Sequence, residues 1–146
     1  MFRELVARLT QPAPAPLPET DVPHALAALL VRVAKSDRVY LFEEIARIDR
    51  ILAARFDLDP VAAAKLRAEA ERLERALPET DRFAAVLCDC VPYAERLRLL
   101  EALWQVMMAD GVAHADQRAA VDAIEAALGI ADYDSAALRE AARSIP

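Results

Sequence analysis

The feature that most constrains this chain is residues 97–111, LRLLEALWQVMMADG. Leu97, Leu99, Leu100, Leu103, Trp104, Val106 and Met107 surround nearly the whole circumference of a helix. A surface helix keeps a polar face, so a helix apolar almost all round belongs in an interior. The stretch contains the single Trp and stops at Asp110-Gly111, where Gly takes the left-handed conformation that ends helices. We therefore expect a central helix here, with the other helices packed around it.

A chain of 146 residues suggests one domain with a sizeable core. Only two Gly and 5% aromatic residues, beside abundant Ala, Leu, Glu and Arg, favour helices over sheets. No segment alternates with period two over a useful length, so no sheet is expected. A net charge of −6 argues against nucleic acid, because phosphate binding needs a basic patch. No apolar run reaches the roughly 18 residues of a membrane span. The start, MFRELVARLT, lacks the basic region and apolar core of a secretory signal. Two cysteines make no disulfide framework, and a cytoplasmic location is expected.

Phe2, Leu5, Val6 and Leu9 have the spacing of a short amphipathic helix, expected to dock on the domain. Residues 11–20, QPAPAPLPET, read as a Pro-rich spacer. Helix one is expected over 22–36, capped by Asp21, with Leu26, Leu29, Leu30 and Val33 as its apolar face. Helix two is expected over 41–56, with Ile45, Ile48, Ile51 and Leu52 inward. Helix three follows Asp59-Pro60 over 60–77, with an inward stripe of Ala62, Leu66, Leu73 and Leu77. Its pairs Lys65/Glu69, Arg67/Glu71 and Glu71/Arg75 read as a solvated face, each worth a few tenths of a kcal/mol. Helix four opens near Thr80, with Phe83, Val86, Leu87 and Cys90 on one stripe. Pro92 opens the central helix. Helix six spans 115–128 before Gly129, and helix seven spans 135–144 with Ser135 as its cap.

Two segments read alike: VRVAKSDRVYLFEEIARIDRILAARFDLD (31–59) and WQVMMADGVAHADQRAAVDAIEAALGIAD (104–132). Placing Asp37 on Asp110 puts Val39 on Val112, Glu43 on Asp116 and Ile45 on Arg118. It also puts Ile48 on Val121, Ile51 on Ile124 and Phe56 on Gly129. Each copy is a helix end, an acidic loop and an amphipathic helix, which suggests two hairpins about a pseudo-twofold axis.

LLEALWQVMMADG (99–111), the helix ending ALGI (127–130) and the upstream ILAARFDLDP (51–60) resemble the TerB-like family, the tellurite-resistance B group. That group includes the N-terminal domain of a membrane-anchored DnaJ-like co-chaperone. The resemblance covers residues 22–144. It implies an all-α compact bundle of about seven helices containing two pseudo-repeated helical hairpins. Residues 1–20 are then the short N-terminal helix and Pro-rich linker, and 21–146 the TerB-like domain. It also implies association with tellurite and stress responses and with phage or colicin resistance, in a family for which no enzymatic reaction is established.

The family loop is similar to A-D-G-x-x-x-x-x-E, an Asp at a helix end followed by a Glu in the next first turn. The matching positions are Asp37 with Glu44, and Asp110 with Gln117. Carboxylates from two converging loops suit a hard divalent cation such as Ca²⁺ or Mg²⁺. The chain departs from the pattern at Arg38, which replaces Gly, and at Gln117, which replaces Glu. The candidate metal ligands are Asp37, Glu44, Asp110 and Asp116, with Glu43 and His114 close in sequence. The alternative treats Glu43, Glu44 and Asp116 as helix N-terminal carboxylates favoured by the dipole. No full EF-hand loop occurs.

Cys88 and Cys90 point about 200° apart on a helix and do not converge on a metal. Cys90 is expected in the core and Cys88 partly exposed. Asp110, His114 and Asp116 lack a nearby Ser or Cys nucleophile, and no Gly-rich phosphate loop is present. Tyr40, Leu41 and Phe42 either pack inward or mark a contact patch. The expected function is a non-enzymatic interaction module with a protein partner or a second copy. It needs no cofactor, nucleic acid or membrane insertion. The alternative is a divalent-metal binding or sensing domain.

Overall fold

The described residues form seven helices: α1 (Val22–Lys35), α2 (Phe42–Phe56), α3 (Pro60–Ala76), α4 (Thr80–Cys90), α5 (Tyr93–Met107), α6 (Ala115–Ala127) and α7 (Asp132–Arg143). They are seen in a computed structural model that describes residues 16–36, 40–109 and 115–143. Among the described residues there is no strand. The expected N-terminal helix lies outside them. The spacer is described only from Pro16, whose carbonyl accepts a hydrogen bond from Arg72.

The helix starts follow the expected chemistry. Asp21 and Asp59 cap α1 and α3 by accepting the backbone N–H of His24 (3.0 Å) and Ala62 (2.7 Å). Such caps are worth about 1 kcal/mol each. α2 starts differently. Leu41 has no side-chain acceptor, and Glu44 reaches back to accept the Leu41 N–H at 3.1 Å. α7 starts earlier than the Ser135 cap suggests. The carbonyl of Ala131 already accepts from the N–H of Ser135, which leaves Ser135 buried inside the helix.

The central helix is α1, not α5. Nine of its 14 residues are buried, Ala25 through Val31 without a break and then Val33 and Ala34. It packs against α2, α3, α4, α5 and α6. The reason is its alanines. Ala25, Ala27, Ala28 and Ala34 let neighbouring helices approach on every side, so the polar-looking face opposite the leucines is covered as well.

The two halves are related by a pseudo-twofold axis. Glu44 and Gln117, 73 positions apart, are equivalent in the repeat and hydrogen bond to each other. A residue that touches its own counterpart lies on the axis of a twofold arrangement. The repeat extends further than the sequence pattern reached. Arg67 on α3 pairs with Asp49 on α2 at 2.6 Å. Arg139 on α7 pairs with Asp122 on α6 at 3.2 Å. Each half is thus three helices, α1–α3 and α5–α7, and α4 is the connector.

The register slips by one residue at the ends of α2 and α6. Both helices end with a left-handed residue, Asp57 (φ 53) and Gly129 (φ 68). The next residue then bonds back to the last turn, Leu58 N to Ala53 O and Ile130 N to Glu125 O. These are Schellman closures. Gly129 therefore matches Asp57 rather than Phe56.

α3 differs from its expectation on two counts. Its buried stripe is Ala63, Leu66, Ala70 and Leu73. Lys65 and Arg75 are exposed and Arg67 pairs with Glu71 at 2.8 Å as expected, but other charges on its flanks are ties to its neighbours. Besides the Arg67–Asp49 pair, Glu69 meets His24 at 2.9 Å and Glu74 meets Lys35 at 2.9 Å, both on α1.

Candidate functional site

Two places in the fold combine polar chemistry with an unusual setting: the axis and a groove between α2 and α5. At the axis, Glu44 and Gln117 are each 1% exposed, a buried polar pair inside an apolar core. Glu44 Oε1 accepts from Leu41 N, and Oε2 accepts from Gln117 Nε2. The Gln117 Oε1 is buried and accepts no hydrogen bond among the described residues. The pair stitches the first turns of α2 and α6 together.

Of the candidate metal ligands, Glu44 lies at this axis. Asp116 is on the first turn of α6 with an exposed side chain, as is Glu43 on α2. Asp37, Asp110 and His114 lie outside the described residues. Among the described residues no three of His, Cys, Asp and Glu form a metal-holding cluster.

The groove lies between α2 and α5 and has a volume of about 500 Å³. Its floor is Ile51, Ala54 and Ala102, and Gln105 closes one end. Arg47, Arg50, Arg55 and Arg98 line it against a single Glu101. Four arginines converge here in a chain of net charge −6. Arg55 and Arg98 share Glu95, at 3.3 and 3.4 Å. Among the described residues, Arg50 donates only to the carbonyl of Ala46, one turn back on its own helix, and the buried Nε of Arg47 has no hydrogen-bond acceptor. A guanidinium has five N–H donors in a planar fork suited to carboxylates, so unpaired arginines in a groove are open to an acidic partner. A second groove, which shares Arg55 and Arg98 with the first, is lined by Leu99, Glu95, Pro92 and Val22.

The sequence reading missed these arginines because each one taken singly is an ordinary surface residue. The signal lay in the repeat. Arg47 and Arg50 on α2 stand where α6 has Ala120 and Ala123.

His24 bridges helices. Its Nδ1 lies 2.6 Å from Asp21 Oδ1 and its Nε2 2.9 Å from Glu69 Oε2. Burial opposes a charge on the ring, but the hydrogen bonds to Glu69 and Asp21 outweigh it and raise the imidazole pKa. Burial also opposes the charge on Asp21, and the His24 backbone N–H and ring together hold that carboxyl below its ordinary value. Of the two cysteines, Cys88 is partly exposed as expected, its Sγ 3.5 Å from the Ala127 carbonyl, whereas Cys90 is exposed and not in the core. α4 turns Phe83, Ala84 and Leu87 inward instead. Of the apolar loop residues, Tyr40 packs against the core and burial pushes its phenol pKa up, whereas Phe42 is 78% exposed.

An all-α domain of two pseudo-twofold three-helix units, with a buried polar pair on its axis, defines the class. The model of the family "Tellurite resistance protein TerB" matches residues 23–140, and the chain belongs to the TerB family. TerB is not a family of known enzymes. No curated protein and no solved structure matches the chain. Among the described residues, no helix is long and apolar enough to cross a membrane.

Proposed function

We propose that this chain is a non-enzymatic interaction module of a tellurite or stress response, acting in the cytoplasm through a protein partner. The observation that supports this reading is the groove between α2 and α5. It combines apolar lining residues with two arginines, Arg47 and Arg50, that have no carboxylate partner among the described residues, beside Arg55 and Arg98, which share Glu95. Arginine is enriched at the energetic centres of protein interfaces, and a groove with convergent polar groups is the default binding site of an uncharacterised fold. The test is photo-crosslinking in cells exposed to tellurite. A photoreactive amino acid replaces Gln105 in the groove or, as control, the exposed Arg75 on α3. Protein adducts from the groove position alone support the reading. Equal adducts at both positions, or none at either, defeat it.

A second reading is a divalent-cation site using Asp37, Glu44, Asp110 and Asp116. The unpartnered Oε1 of Gln117 beside the Glu44 carboxylate favours it, since hard cations take carbonyl and carboxylate oxygens. Its test is a thermal melt in EDTA followed by Ca²⁺, Mg²⁺ or Mn²⁺. A cation present at about 100 times its Kd adds about 2.7 kcal/mol and raises Tm visibly. No shift with any of the three ions, or a shift that survives Asp110→Ala, rules the site out.

A further inference from the structure

We infer that the groove between α2 and α5 is the seat of an acidic amphipathic helix supplied by a partner protein, in the position that α4 fills on the other half. This rests on the interaction reading above and names the chemistry of the partner.

The argument comes from comparing α1 with α5, equivalent helices 73 positions apart. The buried residues of α5 are Leu99, Leu100, Ala102, Leu103, Trp104, Val106 and Met107. Their counterparts Leu26, Ala27, Leu29, Leu30, Val31, Val33 and Ala34 are all buried in α1. α1 buries two more, Ala25 and Ala28. Their counterparts are Arg98 and Glu101, which line the groove. The same face of α1 continues to Arg32, which ties both the end of α3 and α4: it donates to the Leu77 carbonyl at 2.7 Å and to Thr80 Oγ1 at 3.3 Å, pairs with Glu74 and lies 5.2 Å over the Phe83 ring. The counterpart of Arg32 is Gln105, at the end of the groove.

α4 packs on α1 and α6. The pseudo-twofold turns that pair into α5 and α2, the two walls of the groove. One seat is therefore filled by an 11-residue helix. Among the described residues no helix fills the other. The groove and the second one that shares its Arg55 and Arg98 together run along α5 from Pro92 to Gln105, roughly 20 Å at 1.5 Å per residue, which suits a helix of about 13 residues.

The charges state the partner's chemistry. Where the α4 side of the fold has Ala25 and the half-buried Ala120, the groove has Arg98 and Arg47, and Arg50 stands where α6 has the exposed Ala123. The occupant presents an apolar stripe to Ile51, Ala54 and Ala102, and Asp or Glu on its flanks to the arginines. Helix-in-groove recognition works this way, with apolar anchors at i, i+3, i+4 and i+7. The chain's own start, MFRELVARLT, has that spacing but carries two arginines against one glutamate, the wrong sign for this seat.

The test uses the full chain and two hydrocarbon-stapled peptides of about 13 residues. Both carry Leu at i, i+3, i+4 and i+7, one with Glu and one with Lys on the flanks. Fluorescence anisotropy is expected to show the Glu peptide binding at least roughly tenfold tighter, weakening with salt. The double substitution Arg47→Glu with Arg98→Glu is expected to reverse that preference. Equal or better binding of the Lys peptide overturns the inference, as does no binding at millimolar peptide. So does tight Glu-peptide binding that the double substitution leaves unchanged. Two further measurements identify other occupants, and either positive result overturns the inference. Leu5→Asp with Leu9→Asp strengthens peptide binding if the chain's own start sits in the groove. Sedimentation shows a dimer that Arg98→Glu dissociates if a second copy does. A crosslinked partner segment that is basic or extended leaves the interaction reading standing and removes the acidic helix alone.

Discussion

α1 and α5 stand in equivalent places, share a buried pattern and end up in different surroundings. α1 has helices on every side, while α5 keeps Arg98 exposed and Glu101 half-buried along the groove. The difference teaches that the frame is set by the common pattern, and the neighbours by two positions. Alanine at 25 and 28 admits α4 against the helix. Arginine and glutamate at 98 and 101 keep the corresponding face wet.

Exchanging those residues tests the comparison most severely. Ala28→Glu places a carboxylate on the fully buried face of α1, one turn from Arg32, whose guanidinium is already held by Glu74, Leu77 and Thr80. We expect a loss of about 3 kcal/mol or more in urea denaturation, an unpaired buried charge being among the largest single-residue effects. Glu101→Ala, the reverse exchange, is expected to stay within about 0.5 kcal/mol of the parent. Similar losses from both would sink the assignment of filled and open seats.

The axis offers the next largest effect. Glu44→Ala leaves the Leu41 N–H and the Gln117 amide without their acceptor, and each stranded group costs about 1–3 kcal/mol. A drop of roughly 2–4 kcal/mol is expected, with both halves loosened together in hydrogen exchange. Loss of protection in α2 alone would contradict the shared axis.

The helix ends come next. Gly129→Ala meets nothing within 4 Å of the new Cβ, so its cost is the left-handed backbone alone, about 1–2 kcal/mol. Asp57→Gly, at the matching closure of α2, is expected to stabilise by up to about 1 kcal/mol. Equal and opposite Tm shifts would sharpen the one-residue register slip, and a destabilising Asp57→Gly would break it.

The smallest difference is pH-dependent. α1 ties to α3 through His24, and α5 has Leu97 at the equivalent position. The folded imidazole pKa is raised, so its contribution is complete below the ordinary value of 6.5 and is lost as pH rises through the folded value. Asp21 acts oppositely, its contribution being present above its ordinary value and lost in acid. His24→Leu, which copies the second half, is expected to remove on the order of 1 kcal/mol at about pH 6 and less at about pH 9. A loss independent of pH would mean that packing rather than the ion pairs explains the effect.

Much of the fold was legible in the sequence. Asp21, Asp59-Pro60, Pro78 and Pro92 mark helix boundaries because capping and the missing proline N–H act locally. The hub was less so. Leucine and tryptophan advertise a core, whereas the alanines of α1 are buried only because other helices come close, which is a tertiary fact. The charges of α3 read as solvated because Glu69 and Glu74 find His24 and Lys35 across the fold rather than along their own helix. Cys90 was misplaced because a stripe drawn through Phe83, Val86 and Leu87 also passes through Cys90, while the inward face of α4 is the one shared with Ala84. The groove was hidden for a similar reason, its arginines coming from two helices about 50 residues apart in sequence.

The connector α4 has a consequence for stoichiometry. Two equivalent seats would make a divalent protein, able to string partners into open chains. On the proposal that the other seat takes a partner helix, the covalent fixing of Thr80–Cys90 in one of them leaves each molecule a single acceptor position. Its complexes are then closed pairs of one chain with one helix, and titration should saturate at equimolar partner.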